Sequence, residues 1–202
     1  MEEAARELKA LGERRERALA EARRLRVLSK RAILLVHRGE VGEAEGLLGE
    51  ARVVLEGLRG LVEGSPVLEG LEAVGAALEE YGEASILLSL VQGKGFPPPG
   101  ELGLSPVEYV QGLADVPGEL RRRALDLLRV GRLEGAEECL GWMGRVYEEL
   151  SRVEEFSLLL RGFRRKMDVA RGVYERTAAE LAVEASRERL RRLLEEAGKR
   201  GV

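Results

Sequence analysis

Two pairs of acidic residues in this 202-residue sequence have the spacing of neighbours on a helix. Glu80 and Glu83 are three residues apart, so both point to one side of their predicted helix. Asp115 and Glu119 are four apart with Pro117 between them, and we expect the two pairs to lie on facing helices. Carboxylate oxygens are the ligands that Mg²⁺ prefers, and the bound ion can activate water and neutralise a phosphate under attack. The pairs are therefore candidate catalytic groups and ligands for Mg²⁺, or for Mn²⁺ instead. Because acidic residues are abundant, the alternative of ordinary surface acids stays open.

Positive charge is concentrated near the start of the chain. Between positions 17 and 38 there are seven basic residues and only one acidic residue, Glu21. Four of the arginines recur every seven residues and so form a stripe along one helix: Arg17, Arg24, Arg31 and Arg38. Together with Lys30, this row of cations suits the phosphates of a nucleic-acid strand, and such binding weakens with salt. The alternative is a solvated face whose arginine stems cover apolar surface.

The elements that carry these residues are predicted to be helices, because apolar residues recur at three, four and seven positions throughout the chain. The segments with this period are 2–38, 41–62, 66–92, 106–130, 133–161 and 163–199. Strand signals are scarce, since isoleucine occurs only at Ile33 and Ile86. The predicted fold class is therefore all-α, a bundle of about six or seven long, mostly antiparallel helices.

Glycine and proline mark the expected boundaries. The segment GKGFPPPG at 93–100 is the strongest non-helical stretch, and we expect the loop 93–104 to divide one domain, 1–202, into two halves. Pro117 is expected to kink the helix over 106–130 because proline lacks a backbone N–H. A charged tail is predicted at 187–202.

Composition excludes several classes of protein. The longest uncharged stretch, 84–93, is far shorter than the roughly 20 residues of a membrane-spanning helix, so no membrane partner is expected. A single cysteine, Cys139, and a single histidine, His37, exclude an internal disulfide and a Cys–His zinc site. The first residues carry no basic and then apolar leader, and we expect a cytoplasmic protein.

Several longer motifs lie in order along the chain. They are SKRAILLVHR at 29–38, EEYGEA at 79–84, KGF at 94–96, SPVEYVQGLADVPGEL at 105–120 and RRKMDVARGVYERTAAEL at 164–181. Together these segments resemble the translin family, an all-helical group of nucleic-acid-binding proteins. The motifs at 79–84 and 105–120 are the specific ones, and they are more similar to the catalytic branch, translin-associated factor X, than to translin itself.

The resemblance implies a function. Glu80, Glu83, Asp115 and Glu119 fall on the metal-binding catalytic carboxylates of that branch, which implies a Mg²⁺-dependent endoribonuclease on single-stranded RNA, with single-stranded DNA as the alternative. It also implies a closed homo-oligomeric shell, roughly an octamer, whose interior the arginine stripe lines. Gly82 departs from the family motif, where a larger residue stands. Two alternatives remain: a non-catalytic single-strand binder, and a helical scaffold whose stripe is plain surface.

Overall fold

The computed structural model describes residues 1–200, with the side chains of 1–198. Within these residues the regular elements are α-helices and one 3-10 helix, Glu154–Leu159, which confirms the all-α prediction. The α-helices are α1 (Glu2–Arg38), α2 (Val41–Val62), α3 (Pro66–Glu69), α4 (Glu72–Val91), α5 (Pro99–Leu102), α6 (Pro106–Leu113), α7 (Val116–Arg129), α8 (Leu133–Ser151) and α9 (Phe163–Arg200). None of these helices combines the length and apolar character that crossing a membrane requires.

The chain forms two compact units, one from Met1 to Val116 and one that begins at Pro117. The predicted loop 93–104 therefore lies within the first unit, between α4 and α6, and contains the short helix α5. The single domain 1–202 stays a prediction. The predicted charged tail continues α9 as a helix with exposed residues, and its positions 201–202 lie outside the described residues.

In the first unit, α1 packs against α2 and α4, and α4 packs against α6. Helix α1 ends where Gly39 adopts the left-handed conformation, with φ of 81°. Because only Gly39 and Glu40 separate α1 from α2, the two helices run antiparallel. The Arg14 guanidinium, in the first half of α1, accordingly donates a hydrogen bond to the Leu61 carbonyl, near the end of α2, at 2.7 Å.

Two predicted helices are interrupted. The segment 66–92 is two helices, since the chain turns at Gly70 and Leu71 between α3 and α4. The segment 106–130 is likewise divided, between α6 and α7. Pro117 is the second residue of α7 and does not kink a continuous helix, because a first-turn position needs no backbone donor.

In the second unit, α8 and α9 pack against each other. The buried residues of α8 recur every three or four positions and are Ala136, Cys139, Met143, Val146 and Leu150. The Arg121 guanidinium joins α7 to α9 by donating hydrogen bonds to the Thr177 hydroxyl and the Glu180 carboxylate, each at 2.9 Å. The predicted helix over 133–161 ends earlier, at Ser151, and the 3-10 helix follows it.

Candidate functional site

Two glycines allow α4 and α6 to approach closely. A Cβ atom on Gly112 would lie 2.7 Å from the Glu79 carbonyl oxygen and 2.9 Å from the Glu83 nitrogen, so only glycine fits there. On the other side of the contact, a Cβ atom on Gly82 would lie 3.0 Å from the Leu104 side chain. The contact fixes α6 against the turn of α4 that carries the first acidic pair. Asp115 follows three residues after this contact.

The start of α6 is fixed by a second set of contacts. The Ser105 hydroxyl accepts a hydrogen bond from the Glu108 backbone at 3.3 Å, and the Glu108 carboxylate accepts one from the Ser105 backbone at 2.8 Å. This reciprocal arrangement is a capping box. The Arg59 guanidinium of α2 forms an ion pair with the same carboxylate. Burial raises the pKa of Glu108, but the hydrogen bonds and charge of Arg59 and Ser105 outweigh burial and lower it below its usual value.

The motif EEYGEA divides between packing and surface. Tyr81, Gly82 and Ala84 are buried, whereas Glu80 and Glu83 are only partly buried. Burial also raises the pKa of the Tyr81 hydroxyl, so this side chain stays neutral at physiological pH. The buried residues hold the turn in place, and the two carboxylates remain accessible at its surface.

Glu80 lies beside the basic face of α1. Its carboxylate is 3.8 Å from the Arg26 guanidinium and 3.8 Å from the Lys30 ammonium, and its side chain is 18% exposed. Glu83 is on the next turn of α4, and Asp115 is partly buried at the end of the first unit. Glu119 belongs to the first turn of α7, in the second unit, where it faces Arg122 at 3.9 Å.

The carboxylates can be compared with the needs of Mg²⁺. Their oxygens are the right class of donor. Among residues 1–200, however, no three His, Cys, Asp or Glu side chains are close enough together to hold a metal ion. A Mg²⁺ ion at Glu80 and Glu83 would therefore depend on one or two carboxylates and complete its shell with water and substrate phosphate, as is usual for this ion. The four-carboxylate site stays a prediction.

The predicted nucleic-acid-binding residues are all exposed on α1: Arg17, Arg24, Lys30, Arg31 and Arg38. Arg24 faces Glu21 one turn earlier at 4.0 Å, a surface pair that contributes little to stability. Lys30 is on a different side of the helix from the arginine stripe, because it faces α4 through Glu80. The arginine stripe and Lys30 therefore lie on two adjacent sides of α1.

Sequence reasoning missed Arg26 and Arg23 as site residues. Arg23, Arg26 and Lys30 are separated by three, four and seven positions, so they share one side of α1. This spacing could have identified the three residues as one basic side of α1, but the arginine stripe, with its regular spacing of seven residues, was the more obvious pattern. The contact of this side with α4 could not be read from the spacing.

In comparisons with known proteins, the chain is similar to solved structures of C3PO proteins. No family model matches the sequence. An uncharacterized protein of Methanocaldococcus jannaschii is 36% identical over 73 residues, which are 36% of this chain and only 32% of that protein. A structure of AfC3PO with duplex RNA is 35% identical, with a TM-score of 0.85 over 94% of this chain and 97% of that one.

Two further structures have the same fold. A crystal structure of AfC3PO is 33% identical, with a TM-score of 0.82 over 94% of this chain and 98% of that one. Apo-NeC3PO has a TM-score of 0.82 over 90% of this chain and 95% of that one, at 22% identity, and shows the fold alone.

Proposed function

Because this chain belongs to the translin family, we propose that it binds RNA and cleaves single strands with the help of Mg²⁺. The observation that carries the proposal is the contact of Glu80 with Arg26 and Lys30. This contact places the α4 turn with the candidate metal ligands beside basic residues of α1. Support for RNA comes from AfC3PO, which has been determined with duplex RNA and is 35% identical over nearly the whole chain. Membership of the catalytic branch is part of the proposal.

The residues have separate roles in this mechanism. The cations of α1 bind the phosphates on either side of the scissile bond and hold the strand over α4. On the strength of the motifs, Glu80, Glu83 and Asp115 are the residues that would hold the metal ion, which would neutralise charge on the phosphate and activate a water molecule. Glu119 is proposed as an assisting ligand or base, on the strength of the motif at 105–120. Mn²⁺ is the alternative cofactor at the same residues.

We further propose a closed homo-oligomeric shell, an octamer, with the arginine stripe of α1 on its inner surface. The stripe is exposed on the single chain, as this assembly requires. Light scattering on the purified protein measures the mass directly. A monomer or dimer at micromolar concentration would contradict the shell.

A second function is favoured by one observation. The Glu80 carboxylate faces two cations. In the described part of the chain, no three His, Cys, Asp or Glu side chains are close enough together to hold a metal ion. These features favour a non-catalytic protein that only binds single-stranded RNA or DNA.

One experiment separates the two functions. Labelled single-stranded RNA, duplex RNA and single-stranded DNA are incubated with the protein in Mg²⁺, in Mn²⁺ or in EDTA. Cleavage of single-stranded RNA that requires metal, and that Glu83→Gln and Asp115→Asn abolish while RNA binding persists, supports the enzyme. Glu43→Gln, on the exposed side of α2, is the matched control and should cleave normally. Intact RNA under all conditions, with normal binding, supports the passive binder.

A further inference from the structure

A cleft of about 390 Å³ lies between α1 and the first turn of α4. Its lining residues come from one side of α1 and from the second residue of α4. They are Leu19, Arg23, Arg26, Val27, Lys30 and Ala73. The arginine stripe at positions 17, 24, 31 and 38 does not contribute to it.

The lining has two chemical characters. Arg23, Arg26 and Lys30 are exposed cations. Leu19, Val27 and Ala73 add apolar surface beside them. Three cations next to an apolar wall suit a ligand with an anionic group and a flat apolar body.

The volume of the cleft limits the size of the ligand that it can hold. Small-molecule pockets range from about 300 to 1,000 Å³, so this cleft is at the lower end and accommodates one nucleotide unit. Guanidinium groups bind phosphate oxygens in pairs, and a lysine ammonium adds a point charge. A nucleobase has an apolar face that can lie against aliphatic side chains.

We propose that this cleft is a mononucleotide subsite, in which Arg23, Arg26 and Lys30 bind one phosphate and Leu19, Val27 and Ala73 contact its base. The inference rests on the proposed function in that the nucleotide is a unit of the bound RNA. It goes further because it assigns one base and one phosphate of the strand to named residues outside the arginine stripe.

Glu80 has a second role in this arrangement. Its carboxylate is the counter-ion of Arg26 and Lys30 when no phosphate is bound. Both separations are 3.8 Å, longer than a direct hydrogen bond, and both cations are about half exposed, so the ion pairs are readily exchanged. An incoming phosphate competes with Glu80 for the two cations. Removing the Glu80 charge should therefore strengthen phosphate binding.

The test measures binding of a fluorescent ribonucleoside 5′-monophosphate to the full-length protein by anisotropy, in EDTA and low salt. Without metal, the measurement is independent of cleavage. The double variant Arg26→Gln/Lys30→Gln should weaken binding by at least about tenfold, since two charge-assisted contacts are lost. Arg6→Gln/Lys9→Gln removes the same two charges from exposed positions of the same helix outside the cleft, so it is the matched control and should change binding less than about twofold.

Two further variants test the base and the counter-ion. Ala73→Phe places a large side chain in the space proposed for the base. It should therefore weaken nucleotide binding strongly but leave the affinity for inorganic phosphate, measured by competition, unchanged. Glu80→Gln should tighten nucleotide binding several-fold. Circular dichroism melting of each variant verifies that it is folded.

The outcomes separate this inference from the proposed enzyme. Nucleotide binding that follows these variants, in a protein that never cleaves RNA, keeps the subsite and removes the catalytic proposal. Equal losses in the Arg26→Gln/Lys30→Gln and Arg6→Gln/Lys9→Gln variants would overturn the subsite, because only overall charge would matter. Unchanged binding in folded Ala73→Phe would overturn the contact with the base.

Discussion

Gly112 of α6 contacts the backbone of α4 so closely that a Cβ atom on it would be 2.7 Å from the Glu79 carbonyl oxygen. Real Cβ atoms do not occur at that distance from a backbone oxygen, and neither helix can relieve it by moving a side chain alone. The contact lies directly behind the turn that carries Glu80 and Glu83. The geometry of the candidate site therefore depends on a residue with no side chain.

Gly112→Ala is expected to destabilise the protein by about 1–3 kcal/mol, because the added methyl group forces α6 away from α4. The gain in helix propensity from glycine to alanine, up to about 1 kcal/mol, offsets only part of this. Denaturant unfolding monitored by circular dichroism measures the change.

The matched control is Gly57→Ala, in the interior of α2, where a Cβ atom would meet nothing within 4 Å. This substitution should stabilise the protein by about 0.5–1 kcal/mol. If Gly112→Ala were as stable as Gly57→Ala, the close contact of α4 and α6 would be wrong.

Glu108→Gln should reduce stability by about 1.5–3 kcal/mol near pH 7, where the wild-type carboxylate is ionised and accepts hydrogen bonds from Arg59. The Gln side chain keeps an oxygen for the capping box, so the variant isolates the ion pair. Because the folded-state pKa of Glu108 is lowered, its stabilising effect is complete above the unfolded-state pKa. That effect is lost as the pH falls through the folded-state pKa.

The measurement is the free energy of unfolding of both proteins between pH 3 and pH 8. The two curves should differ most near neutral pH and converge in acid. A constant difference across the range would show that the charge of Glu108 contributes nothing, and that the loss came from altered packing alone.

The helical fold could be predicted because the apolar period of 3.6 residues is local information. Helices α1 and α2 have the predicted ends, since Gly39 and the Ser65–Pro66 turn mark them in the sequence. The break between α6 and α7 could not be located, because proline allows either a kink or a new first turn. Tertiary packing decides between them.

The candidate site was only partly predictable for the same reason. The spacing of Glu80 and Glu83 places them on one side of α4, and the stripe of arginines on one side of α1. The partners of Glu80, Arg26 and Lys30, are about fifty residues away in the sequence, and helix period contains no information on which sides of two helices meet. That pairing depends on the packing of α1 against α4.

Cys139 should resist alkylation in the folded protein. Burial raises the pKa of its thiol to about 11, and its side chain is 5% exposed, so at pH 8 almost no thiolate is present or accessible. We expect iodoacetamide at pH 8 to label the native protein at least about a hundredfold more slowly than the urea-unfolded protein. Mass spectrometry of timed samples follows the reaction, and equal rates in both states would contradict a buried Cys139.

Substitution of the arginine stripe should weaken RNA binding in a salt-dependent manner. Each phosphate contact on a single strand contributes a slope of about 0.7 in the logarithm of affinity against the logarithm of salt concentration. Arg17→Gln/Arg24→Gln should therefore reduce the slope by up to about 1.4 units, if both residues contact phosphates. The measurement is anisotropy of a labelled oligoribonucleotide in EDTA from 50 to 300 mM KCl, with Arg6→Gln/Lys9→Gln as the control for overall charge. A double variant with the wild-type slope would mean that the stripe does not face the strand, whereas a reduced slope at unchanged sequence preference identifies it as a phosphate-binding surface.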